Sequence, residues 1–144
     1  MASGRKLQLA GDGQQVIGYG ERLSRQWRER RVKRDDRPWG YFEVVADLPD
    51  CKVKRIVVHP GGRLSLQRHR RRDEHWFVVC GSAVARVGDR DIALGKGGSL
   101  DIPRTSLHRV ENTGGEDFVF VEVQIGDYFG EDDIERVADD YGRA

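Results

Sequence analysis

GGRLSLQRHRRRDEHWFVVCG, Gly61 to Gly81, is the stretch that decides how this chain folds and where its chemistry sits. Gln67 and His69 lie two residues apart, so on a β-strand both side chains leave the same face. Glu74 follows after the run Arg70-Arg71-Arg72, at the start of a second strand-like run, EHWFVV. Pro60-Gly61-Gly62 in front and Gly81-Ser82 behind are turn signals that bracket the pair. A distant histidine, His108, arrives in IPRTSLHRVEN (Ile102 to Asn112). Two imidazoles, one carboxylate and one amide form a four-donor set suited to a single divalent ion.

Working outward, the same rhythm of short β-rich runs and turns continues. Tyr41–Val45, Cys51–His59, Leu64–His69, Glu74–Val79, Ala83–Val87, Arg90–Leu94, Ser99–Ile102, Arg109–Asn112 and Phe118–Ile125 are the predicted strands. Turns fall about every 8–12 residues between them, the pattern of an all-β sandwich or barrel. Only the tail, GEDDIERVADDYGRA, carries a helical spacing, and it predicts one short C-terminal helix. Ahead of Arg37-Pro38-Trp39-Gly40 the pattern fails. Residues 1–20 are Gly-rich and polar, and ERLSRQWRERRVKR (residues 21–34) predicts a basic helix. Residues 1–36 are therefore expected to be a basic arm, partly disordered or packed on a partner, and residues 37–144 the folded domain.

Composition narrows the classes. A chain of 144 residues with 38% hydrophobic and 34% charged residues suits one domain with a heavily solvated surface. Its net charge of +1 excludes binding to nucleic acid or membrane by bulk charge. The charge is uneven, however. Residues 21–37 hold eight basic side chains against four acidic ones, and residues 127–140 hold seven acids against Arg136 alone. No stretch has the apolar length of a signal peptide or membrane span, so the expected location is cytoplasmic. Cys51 and Cys80, without a Cys-x-x-Cys, are expected to be reduced thiols.

The spacing Gly61-x5-Gln67-x-His69-x4-Glu74-x6-Gly81, then Gly97-x5-Pro103 and His108-x3-Asn112, resembles the two cupin motifs. Gln67 stands where many cupins have their first histidine, and Thr105 where they usually have a glycine after the proline. The resemblance implies a double-stranded β-helix, or jelly-roll barrel, holding its ion with Gln67, His69, Glu74 and His108. Zinc is the leading metal, with iron, manganese, cobalt and nickel compatible. RPWG (Arg37 to Gly40), KVKRIVVHPGGRLSLQ (Lys52 to Gln67), EHW, LHR followed by EN, and EVQIGDYFGEDDIERVADDYGR (Glu122 to Arg143) further resemble type II mannose-6-phosphate isomerases. In that family the cupin often follows a GDP-mannose pyrophosphorylase domain, which residues 1–36 are too short to supply. The loop QRHRRR departs from the family's QMHHHR, with Arg70 and Arg71 in place of two histidines.

What the resemblance implies is interconversion of mannose 6-phosphate and fructose 6-phosphate through an enediolate. Strand parity puts Ser65 on the face of Gln67 and His69, and Trp76 on the face of Glu74, while His75 points away. Ser65, Arg72, Trp76 and Gln124 are the expected substrate contacts, and Arg109 and Glu122 the expected catalytic residues. The alternative is a non-catalytic cupin that binds a sugar phosphate or nucleotide sugar, and a cupin oxygenase ranks behind both. The expected partner beyond the sugar phosphate is a second copy of the chain, in a homodimer whose interface residues 21–34 would cover.

Overall fold

The computed structural model describes residues 32–143. Its regular structure is almost entirely eleven strands: β1 (Lys33–Arg37), β2 (Gly40–Asp47), β3 (Cys51–Val58), β4 (Leu66–His69), β5 (Arg72–Cys80), β6 (Ser82–Val87), β7 (Arg90–Gly95), β8 (Ser99–Ile102), β9 (His108–Glu111), β10 (Phe118–Gly126) and β11 (Ile134–Ala138). They pair antiparallel in two sheets, one ordered β1-β2-β3-β10-β5-β8 and the other β11-β4-β9-β6-β7. This is the double-stranded β-helix that the motif spacing implies. Among the described residues no helix is long and apolar enough to cross a membrane.

The strands form where residues alternate between a buried and a solvated face. β10, FVFVEVQIG, is the spine, paired with β3 on one side and β5 on the other. Its Phe118, Phe120, Glu122 and Gln124 all point inward, and β5 answers with Arg72, Glu74, Trp76 and Val78. The apolar members meet Trp39, Phe42, Ile56, Val58, Ala85, Ile102 and Val110 from the other strands in one continuous core. Full burial of each large side chain is worth about 1.5–3 kcal/mol, so this cluster is the main stabiliser of the barrel. Gly40 opens β2 with φ +146°, and a Cβ there would lie 2.0 Å from the carbonyl oxygen of Val57. Only glycine lets β2 start so close to β3.

Two strands depart from the expectation. β1 is KRDDR, five charged residues with no apolar face, and it begins the first sheet at Lys33 rather than after Arg37. Alternate residues pair along it, Arg34 with Asp36 and Arg37 with Asp35. Arg34 also lies over the ring of Tyr41, 3.6 Å from its centroid. A charged edge strand exposes its free backbone groups without inviting another chain.

The second departure corrects the predicted C-terminal helix. Among the described residues helical geometry is limited to a single 3-10 turn, Glu131–Asp133, and Ile134–Ala138 continue as β11 against β4. Three-residue spacing of Ile134 and Val137 suggests a helix, but pairing with β4 overrides that weak local preference. The predicted helix over residues 21–34 lies outside the described residues, apart from Val32–Arg34, of which Lys33 and Arg34 are in β1.

Candidate metal centre

Three strands bring the donors together. His69 ends β4, Glu74 sits near the start of β5 and His108 opens β9. All three are almost fully buried, and one ligand atom from each lies within 4.8 Å of the others. His69 Nε2 is 2.9 Å from Glu74 Oε1, and His108 Nε2 is 3.6 Å from Glu74 Oε2. The imidazole centroids are 5.1 Å apart.

The hydrogen bonding shows what these atoms are free to do. His108 Nδ1 lies 2.9 Å from the carbonyl oxygen of Ser106, which can only accept. That fixes the proton on Nδ1 and leaves Nε2 with a bare lone pair, the arrangement that orients a metal-binding histidine. Among the described residues His108 Nε2 and both nitrogens of His69 have no hydrogen-bond partner although buried, and the short His69–Glu74 contact lacks hydrogen-bond alignment. Orphaned buried nitrogens are rare and costly. Two imidazole nitrogens and a carboxylate converging on one point fit a divalent ion.

Electrostatics prepares the same set. Burial pushes the Glu74 carboxyl up, but His69, His108 and Arg72 together outweigh it and hold the group below the usual carboxylate range. Burial also drives the His108 imidazole below its ordinary value, and the charge of Glu74 offsets only part of this. Glu74 is thus held as a carboxylate and His108 is pushed toward its neutral form, the protonation states that metal binding requires of these two groups.

The centre opens into a recess lined by Ser65, Gln67, Arg72, Glu74, Glu122 and Gln124, with Arg37, Trp39, Lys54, Glu131, Arg136 and Arg143 further round. Gln67 lies opposite His108 in the β4–β9 register, and its Oε1 accepts the Ser65 hydroxyl at 2.8 Å. Arg72 is fully enclosed, 3.4 Å from Glu74 and donating to the carbonyl oxygen of Gly130. Glu122 accepts from Trp76 Nε1 at 3.2 Å and from Gln124 Nε2 at 2.6 Å. Burial, reinforced by the charge of Glu74, pushes the Glu122 carboxyl up to about 8. Trp76 is a support beneath the centre, edge-on to His108 and donating to Glu74, and its ring belongs to the apolar core.

One expected site residue is not brought in. Arg109 follows His108 on β9 and leaves the opposite face, where it lines a surface recess with Arg63, Arg86, Asp91 and Glu111. Its Nε donates to the carbonyl oxygen of Leu64. Adjacency in sequence is separation on a strand, and the two-residue period puts Arg109 outside. His75 also points out, to Asp101 at 2.6 Å.

The arginine loop has its own partner. The backbone N–H groups of Arg70 and Arg71 donate to Asp133, Arg71 pairs with Asp127, and Arg68 and Arg70 pair with Glu135. Basic loop and acidic tail are two halves of one exposed clasp. Lys54, Glu131 and Arg136 were not expected at the site. Lys54 shares a strand face with Ile56 and Val58, a two-residue parity that the sequence carries.

Comparison with known proteins agrees with this geometry. A family model described as mannose-6-phosphate isomerase C-terminal matches residues 24–139. The alginate biosynthesis protein AlgA of Pseudomonas aeruginosa is 48% identical over 107 residues, which cover 74% of this chain and 22% of that protein. A mannose-1-phosphate guanylyltransferase of Klebsiella pneumoniae is 42% identical over 107 residues, 74% of this chain and 23% of the other. The chain thus spans under a quarter of the length of these curated relatives. Among solved structures, an uncharacterised Klebsiella pneumoniae protein with a double-stranded β-helix domain superposes with a TM-score of 0.60 at 26% identity, over 67% of this chain and 82% of that one. An oxalate decarboxylase of Lactobacillus farciminis at 20% identity, TM-score 0.66, over 74% of this chain and 33% of that one, shares the fold alone. With its family model running from residue 24 to residue 139, the chain belongs to the mannose-6-phosphate isomerase C-terminal family of cupin domains.

Proposed function

We propose that this domain is a metal-dependent aldose-ketose isomerase that interconverts mannose 6-phosphate and fructose 6-phosphate. The observation that carries the reading is the convergence of His69, Glu74 and His108 on one point, with Glu74 also lining a polar recess. These three would hold the ion, with Gln67 beside them as the fourth donor. Zinc heads the order, and iron, manganese, cobalt and nickel suit the same donors. Bound there, the ion supplies Lewis-acid polarisation of the sugar carbonyl.

The remaining work falls to the chain's own side chains. Isomerisation moves one proton from C2 to C1 while the C2 hydroxyl gives up its hydrogen and the C1 oxygen gains one. Glu122 is the group suited to that transfer. It is enclosed, its acidity has moved close to neutral, and Trp76 Nε1 and Gln124 Nε2 hold its two oxygens apart. Gln124 Oε1 is buried with no donor and is placed to accept a sugar hydroxyl. Arg72 braces Glu74, and Ser65 braces Gln67.

A coupled assay tests the proposal: metal-reconstituted protein should form fructose 6-phosphate from mannose 6-phosphate. No product with zinc, iron, manganese, cobalt or nickel would overturn it. The competing reading, a cupin that binds a sugar phosphate or nucleotide sugar without turnover, draws on the same recess and on Arg70 and Arg71 standing in the loop beside it. It predicts binding with no product.

A further inference from the structure

Five cationic side chains line the recess, and four are already spent. Arg37 forks onto Asp35, with Nη2 at 2.9 Å from Oδ2. Lys54 donates to Glu131 at 2.5 Å, Arg72 holds Glu74 and the Gly130 carbonyl, and Arg143 pairs with Asp139 at 2.6 Å. Arg136 makes no ion pair among the described residues, and its Nε is enclosed with no acceptor.

The backbone explains why this arginine faces inward. On β11, Arg136 lies opposite Gln67 and on the face of Ile134, whereas Glu135 between them turns out to Arg68. The register slips directly after it, Ala138 pairing with Leu66, and a bulge at that point re-aims the side chain beside it. The carboxylates of the recess do not answer it. Glu74 faces His69, Arg72 and Trp76, Glu122 faces Trp76 and Gln124, and Glu131 faces Lys54.

An enclosed guanidinium N–H without an acceptor is a cost that a bound anion removes. A guanidinium fork matches two oxygens of a phosphate, a geometry that an ammonium does not offer. The other orphan of the recess wall has the opposite polarity, the acceptor Gln124 Oε1, which suits a hydroxyl. A ligand that satisfies both carries a phosphate and a hydroxylated carbon chain.

We propose that Arg136 is the residue that holds the phosphate of the sugar phosphate, and so sets the preference for the phosphorylated over the free sugar. The assignment rests on the recess being the sugar-phosphate site, and it does not rest on turnover. Metal-loaded wild type, Arg136→Gln and Arg136→Lys are titrated calorimetrically with mannose 6-phosphate, mannose and inorganic phosphate. Wild type should bind mannose 6-phosphate well ahead of mannose. Arg136→Gln should weaken mannose 6-phosphate by about 10–100-fold and abolish phosphate binding, with metal content unchanged. Arg136→Lys should recover part of the loss, since the charge stays and the fork goes. If Arg136→Gln fails to fold, a folded Arg136→Lys with weakened phosphate binding carries the result.

Wild-type affinity in Arg136→Gln, equal affinity of wild type for mannose and mannose 6-phosphate, or no binding of either by wild type would overturn the assignment. Arg136-dependent binding without turnover would sink the isomerase reading alone. Turnover with unchanged KM in Arg136→Gln would sink this one alone.

Discussion

The interior of the barrel has two halves made from the same strands. Along β5 the inward residues run Arg72, Glu74, Trp76, Val78, and along β10 they run Gln124, Glu122, Phe120, Phe118 in the antiparallel sense. Register aligns the change of character: Gln124 faces Glu74, Glu122 faces Trp76 and Phe120 faces Val78. β9 repeats it with His108 and then Val110. One half is apolar and packs Phe118, Phe120, Val78, Ala85 and Val110, which need nothing beyond each other. The other encloses two glutamates, two histidines and an arginine, which are costly unless paired. Trp76 straddles the boundary, its ring 4.7 Å from that of Phe120 and its Nε1 on Glu74 and Glu122. The apolar half holds the fold, while the polar half carries a burial cost that a bound ion at His69, Glu74 and His108 would offset.

The sharpest way to break that division is to damage each half in turn. Phe120→Ala is expected to cost about 3–5 kcal/mol of unfolding free energy, by lost transfer and a residual cavity, while the folded fraction keeps its metal. His108→Ala is expected to do the reverse, with metal lost and little stability lost in the metal-free protein. Urea denaturation and elemental analysis of the same two samples check both. A Phe120→Ala protein that folds as stably as wild type, or a His108→Ala protein that keeps a full equivalent of metal, would end the distinction.

A subtler probe is the pH dependence carried by Glu122 in the metal-free protein. Its folded acidity is raised to about 8 by burial and by Glu74, above the ordinary value of 4.5. A raised carboxyl favours the folded state fully below its unfolded value, and the advantage is lost as pH rises through the folded one. Wild type should therefore lose stability relative to Glu122→Gln between about pH 4.5 and 8, the glutamine remaining neutral throughout. Parallel denaturation curves across that range check it, and a constant difference would show that Glu122 stays charged.

The smallest expected effect lies in the loop that delivers His108. Thr105 has φ +69°, the only non-glycine residue with positive φ among the described residues, and its N–H donates to the His69 carbonyl oxygen at 2.6 Å. That conformation costs an L-residue roughly 1–2 kcal/mol, of which glycine's extra chain entropy would cancel about 0.5–1. Thr105→Gly should thus raise stability by about 0.5–1 kcal/mol and leave metal content unchanged, as a shift in thermal midpoint would report. A lower midpoint would place the value of threonine in its side chain.

Much of the fold was legible because nine of the strands carry an alternation that burial enforces, and the turns between them carry glycine and proline. β1 and β11 were not legible. Both are edge strands whose sequences, KRDDR and IERVA, have no clean two-residue pattern, and each exists because a neighbour offers it backbone partners. Arg136 was equally illegible, because a helix over these residues does not place it on the face of Ile134 opposite Gln67, whereas the strand does. Arg109 lies outside for a related reason: a residue next to His108 in sequence is on the opposite face of the strand.

That His108 joins the set came from the motif resemblance, and which face is interior came from the structure. Strand parity by itself grouped Ser65, Gln67 and His69, Glu74 with Trp76, and Glu122 with Gln124, and turned His75 away. These groupings follow from a local period that every β-strand obeys. Only the tertiary structure decided which of these groups are occupied. Lys54 is spent on Glu131, 77 residues away, and the arginine loop on Asp127, Asp133 and Glu135, whereas Arg136 and Gln124 Oε1 are left over. Ion pairing and orphaned hydrogen bonds depend on long-range neighbours in three dimensions, and no local pattern of residues encodes them.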